Sequence, residues 1–88
     1  MSGWRVVYTR QAQKDAKNLA AAGLKPKALY LLGLLAEDPF QNPPPFEKLV
    51  GQLAGAFSRR INVLHHLAYQ VDAENRVVKV LRLWTHYK

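Results

Sequence analysis

Two arginines, two adjacent histidines and, further on, a tryptophan with another arginine crowd the last third of this chain, and a lone glutamate stands before them. The stretch from Phe57 to Val71 holds Arg59, Arg60, His65 and His66 in an alternating apolar pattern, and Arg82, Trp84, His86 and Tyr87 follow on the next such segment. Glu47 stands thirteen residues before Arg60. A guanidinium grips anionic oxygens with a planar fork of donors, an imidazole exchanges protons near neutral pH, and a carboxylate can take a proton from a hydroxyl. Such a set is equipped for acid–base chemistry on a bound anion, provided the fold brings it to one surface.

Strands are the elements that would do so. Residues 4–9, 57–62, 64–71 and 76–87 combine β-branched and aromatic residues with period-two alternation, and 72–75 (Asp-Ala-Glu-Asn) reads as the turn between the last two. Thr9 is placed to cap a first helix, in which Ala12, Ala16, Leu19 and Ala20 form a thin apolar stripe before Gly23 ends it. A second helix starts near Pro26 and buries Leu24, Ala28, Leu31, Leu32 and Leu35, and Glu37-Asp38-Pro39 stops it. Residues 41–45 (Gln-Asn-Pro-Pro-Pro) are a stiff connector, since each proline turns its predecessor away from helical geometry. The order predicts a single α+β domain over 1–88, an N-terminal strand and two helices packed on an antiparallel sheet.

Alternation then sorts the side chains. Phe57, Ile61, Leu67, Tyr69, Val71, Leu81 and Leu83 are expected toward the helices, leaving Arg60, His66, Arg82, Trp84 and His86 on the open face. A face that is cationic, aromatic and titratable at once suits RNA, with arginines for phosphate and an indole for base stacking. His65 and His66 point to opposite sides of one strand and cannot share an ion. The chain has no cysteine, and neither a metal nor a cofactor is expected.

Thirteen Lys and Arg against six Asp and Glu leave a net charge of +7, which favours an anionic partner: nucleic acid, an acidic protein or a membrane surface. The longest nearly apolar run, residues 28–36, falls far short of the ~20 needed to span a bilayer. The first ten residues hold no secretory apolar region, so a cytoplasmic protein is the expectation.

The segments Pro-Pro-Pro-Phe-Glu-Lys-Leu (43–49), Gly51, Leu-Ala-Gly-Ala-Phe-Ser-Arg-Arg-Ile-Asn (53–62), His65, Leu67, Tyr69 and Leu-Arg-Leu-Trp-Thr-His-Tyr-Lys (81–88) resemble the YoeB (Txe/YoeB) toxins of the RelE superfamily. The resemblance spans essentially the whole chain and implies a RelE-like fold and a type II toxin that cuts mRNA in the ribosomal A site, restrained by a YefM-like antitoxin. It makes Glu47 the base, His86 the acid, Arg60 and His66 the electrostatic group, and Tyr87 a further site residue. Lys48, Arg59, Arg82 and Trp84 are the expected RNA contacts. One position departs: where the family motif reads His-Arg-Leu-x-Tyr this chain has His65-His66-Leu67-Ala68-Tyr69, and Val50 replaces a family lysine, with Lys48 nearby. Imidazole in place of guanidinium implies a lower rate that falls more steeply toward alkaline pH. Two rival readings stay open, a gyrase-inhibiting toxin of the ParE branch and an impaired relative that only binds antitoxin or ribosome, as does self-association into a homodimer.

Overall fold

A computed structural model describes residues 3–50 and 55–85. The chain runs β1 (Arg5–Tyr8), α1 (Arg10–Ala21), α2 (Lys25–Glu37), β2 (Glu47–Lys48), β3 (Ala56–Arg60), β4 (His66–Asp72) and β5 (Val77–Thr85). The five strands form one sheet in the order β1-β5-β4-β3-β2, and two helices pack on one of its faces. It is the expected α+β arrangement, with two additions. β1 joins β5 in parallel, with Val6 opposite Val78, so the amino-terminal strand closes one edge of the meander. Glu47 and Lys48 form a two-residue strand at the other edge, Glu47 opposite Ser58 and Lys48 opposite Phe57.

Thr9 joins helix to sheet. Its hydroxyl accepts from the Ala12 amide at 3.0 Å, capping α1, and donates to the Leu81 carbonyl at 2.8 Å. α1 faces β5 through Ala12, Asp15 and Leu19, all buried. Ala16 and Ala20, expected inward, are exposed and line an apolar groove shared with Ala28, Leu29 and Leu32 of α2. The difference has a single cause: Asp15 lies in the buried stripe because β5 supplies its partners. Its carboxylate accepts from Arg82 Nε at 2.8 Å, the Leu83 amide at 3.0 Å and Gln11 at 3.0 Å. A charged side chain that a hydropathy pattern excludes from the core is thus held there by bonds from an element about seventy residues away.

The central strands obey the predicted alternation, and β5 does not. Phe57, Ile61, Leu67, Tyr69 and Val71 lie on the helix side. On β5 the register against β4 shifts between His66 and Ala68 and again between Ala68 and Tyr69. Such irregularities turn successive side chains off strict two-residue alternation. Val78 and Val80, which share the parity of Arg82 and Trp84, are fully buried, while Leu81, expected in the core, is half-buried.

Burial by itself would raise the Asp15 carboxyl pKa, but the hydrogen bonds from Arg82, Leu83 and Gln11 and the charge of Arg82 outweigh it and hold the group below the ordinary carboxylate value. Its contribution to stability is therefore complete above the unfolded-chain pKa of about 4 and lost as pH falls through the lower folded value. Asp15→Ala should cost about 2–3 kcal/mol at neutral pH, the lower end for a broken buried pair because the Arg82 side chain is 37% exposed and regains water. Urea titrations at pH 7 and pH 3 check both statements, the gap between wild type and variant narrowing at the acid value.

Candidate active site

The pairing of β2 with β3 and of β3 with β4 places Glu47 opposite Ser58 and Arg60 opposite His66. Directly paired strand residues share a face, and this face looks away from the helices. Glu47, Ser58, Arg60 and His66, with Pro45, line a cavity of about 300 Å³. Glu47 and Arg60 are exposed, His66 is half-buried, and Ser58 is only 4% exposed. The Ser58 hydroxyl lies 2.9 Å from His66 Nδ1. A carboxylate, a guanidinium and an imidazole thus meet over one opening, the three kinds of group that hydroxyl-driven cleavage of a phosphodiester requires.

Arg59 has the opposite parity, and its surroundings explain how the cavity is built. It is 1% exposed. Its guanidinium donates to the carbonyls of Pro39 at 2.9 Å and Gln41 at 2.8 Å, to the Pro44 carbonyl, and from Nε to the Tyr69 hydroxyl at 3.1 Å. Phe46 covers it with a ring centroid 4.9 Å away. Burial pushes the Tyr69 phenol up against the opposing charge and hydrogen bond of Arg59, so it stays a neutral donor to the Pro39 carbonyl at 3.1 Å. Phe40 and Phe46 both pack edgewise on Phe57. The proline-rich connector is thereby laid across the sheet, and Glu47 follows it directly as edge strand β2.

None of the expected RNA contacts Lys48, Arg59, Arg82 and Trp84 lines the cavity. Arg59 is turned into the core. Arg82 is turned toward α1, where it pairs with Asp15 and also donates to the Trp84 carbonyl at 3.3 Å. Trp84 packs against the core and stacks on the His65 imidazole, with ring centroids 3.7 Å apart and 16° between planes. Lys48 is exposed, but its register opposite Phe57 sets it on the other side of the edge strand from Glu47. His86 and Tyr87 lie outside the described residues. Among the described residues no group of three or more His, Cys, Asp or Glu could hold a metal. Ser58 is the cavity residue that sequence reasoning missed: alternation gives it the same parity as Arg60, but only the tertiary structure shows its bond to His66.

A YoeB/ParE toxin from Agrobacterium tumefaciens superposes with a TM-score of 0.83 at 27% identity, covering 94% of this chain and 99% of its own. A YoeB–YefM complex from Staphylococcus aureus matches at 0.78 and 29% identity, over 96% of this chain and 98% of that one. The toxin–antitoxin complex RelBE2 from Mycobacterium tuberculosis matches at 0.72 and 28% identity, over 94% and 98%. In fold and in sequence the chain is thus similar to the YoeB/RelE toxins. No protein-family model and no curated protein matches the sequence.

Within the YoeB pattern the cavity keeps the glutamate and the second arginine of Ser-Arg-Arg. It carries His66 at the position where the motif has its next arginine.

The Arg59 clamp is testable. Arg59→Lys keeps the charge but cannot span the carbonyls of Pro39, Gln41 and Pro44 and the Tyr69 hydroxyl with one ammonium, leaving buried acceptors unmet. We expect a loss of about 2–4 kcal/mol by denaturant titration, accompanied by faster proteolytic cutting within residues 39–48 than elsewhere in the chain.

Proposed function

We propose that this chain is the toxin of a type II toxin–antitoxin pair and acts as a ribosome-dependent endoribonuclease, cutting mRNA in the ribosomal A site without a metal. The observation that carries the reading is the meeting of Glu47, Arg60 and His66 over one cavity on the face opposite the helices. In this reading Glu47 takes the proton of the 2′-hydroxyl. Arg60 balances the charge that grows on the phosphorane oxygens. An imidazole protonates the departing 5′-oxygen, and two histidines qualify: His86, on which the resemblance sets the acid, and His66. The resemblance adds Tyr87 as a further site residue, and Lys48 at the exposed edge is available to phosphate.

The net charge of +7 supports a polyanionic target. The ribosome suits so small a domain, because it holds the message in a reactive geometry while its RNA receives the basic surface. The relatives crystallised with antitoxin make an acidic YefM-like segment the natural regulator, and the dimer of Staphylococcus aureus YoeB supports self-association as a further state. A protein-binding, gyrase-directed toxin has no use for a carboxylate and an imidazole over a common cavity, so the nuclease reading is preferred.

The test is to add the chain to ribosomes stalled on a defined mRNA and to map new 5′ ends by primer extension. Cuts within the A-site codon are expected from the wild type. Glu47→Ala and Arg60→Ala should each lower the cutting rate by about 10²-fold or more while leaving ribosome binding in place. Full cutting by Glu47→Ala, or intact message beside a bound wild-type protein, would sink the proposal.

A further inference from the structure

The bond between Ser58 and His66 gives the arginine-to-histidine change a chemical meaning. An arginine at this position is a permanent cation that never gives up a proton. An imidazole is a weaker cation but a competent acid, provided that its ring is held. Ser58 orients it: the hydroxyl is nearly shut off from water and lies 2.9 Å from Nδ1, and in the reading that follows Nε2 is the nitrogen that meets the ligand. Ser58 also stands opposite Glu47 in the register of β2 and β3. A single serine thus has the carboxylate on one neighbouring strand and the imidazole on the other, and all three line the same cavity.

We propose that Ser58 is the positioning residue of this site, and that His66, held by it, is the acid that protonates the leaving 5′-oxygen. The inference rests on the nuclease reading above and assigns within it the proton donor to His66 rather than to His86. As the Glu47 carboxylate removes the 2′-hydroxyl proton, the 2′-oxygen bonds to phosphorus. The bond from phosphorus to the 5′-oxygen breaks, and its electron pair takes the proton from His66 Nε2. A 2′,3′-cyclic phosphate and a 5′-hydroxyl result, with Glu47 protonated and His66 neutral; solvent returns the proton from one to the other. Throughout, Nδ1–H donates to Ser58 Oγ, and Arg60 supplies the permanent charge that the family motif shares between two arginines.

Among the described residues, the charged groups that line the cavity with His66 are Glu47 on β2 and Arg60 on β3, and from β5 the residue paired with it is Thr85. The carboxylate favours the imidazolium and the guanidinium opposes it. Only the imidazolium can act as the acid, so the cutting rate should fall tenfold per pH unit above the pKa of His66.

Two measurements on the full chain test this. Long-range proton–nitrogen NMR of the imidazoles reads the ring without any cleavage. In the wild type His66 should show a hydrogen-bonded, protonated Nδ1, and Ser58→Ala should shift its titration and mix its tautomers while leaving His65 unchanged. The pH–rate profile on stalled ribosomes should then show an alkaline limb at the pKa found for His66. Ser58→Ala should move limb and NMR pKa together, His66→Gln should abolish the limb and cost about 10²–10⁴-fold, and His86→Ala should retain the limb whatever its rate. Identical His66 signals in wild type and Ser58→Ala overturn the positioning role. A limb kept by His66→Gln and lost in His86→Ala overturns the acid assignment. A wild type that cuts nothing at any pH, with the Ser58-dependent signals intact, overturns the nuclease reading and with it the catalytic half of the proposal, leaving the Ser58–His66 bond established.

Discussion

The buried guanidinium of Arg59 organises the part of this domain that carries the chemistry. A charge taken from water is costly unless its hydrogen-bonding capacity is met, and here it is met by three main-chain carbonyls of the connector, by a tyrosine hydroxyl and by the face of Phe46. The requirement runs both ways. A proline-rich segment has few amide donors and cannot tie itself down through a strand ladder, so its carbonyls need an outside donor if the segment is to lie against the sheet. Arg59 is that donor. Because Glu47 follows the segment directly, the same bonds that satisfy the connector also deliver the carboxylate to the edge of the sheet.

Asp15 and Arg82 solve the corresponding problem on the other side of the sheet. A helix with a thin apolar face gains a buried carboxylate, and the irregular strand β5 gains a partner for the guanidinium and for the Leu83 amide. Two of the arginines that a charge census would assign to a polyanion are thereby spent on architecture. Among the described residues the cation over the cavity is Arg60, and it stands there beside one imidazole and one carboxylate.

The exchange of guanidinium for imidazole at residue 66 makes the site more dependent on protonation. An arginine-rich pocket stabilises growing negative charge at any physiological pH, whereas an imidazole contributes charge only while protonated and, in return, can transfer the proton. The serine hydroxyl against Nδ1 is the kind of second contact that fixes which ring nitrogen is available, a detail that decides whether a histidine acts as base, acid or bystander.

Much of this was legible in the sequence, since it follows from local rules. Alternation marked the strands, Thr9 and Pro26 marked the helix starts, and parity put Arg60 and His66 on one face apart from Arg59 and His65, because successive strand residues must point to opposite sides. The motif residues around Ser58-Arg59-Arg60 and His65 suggested the toxins to which the solved structures are then found similar. What the tertiary structure alone decided depended on partners distant in the chain. Asp15 is buried because Arg82 and Leu83 reach it, Val78 and Val80 face the core because the register of β5 slips, and Trp84 turns inward to stack on His65. Ser58 gained its role in the same way: a serine on a strand is unremarkable until the neighbouring strand sets an imidazole nitrogen within hydrogen-bonding distance of it.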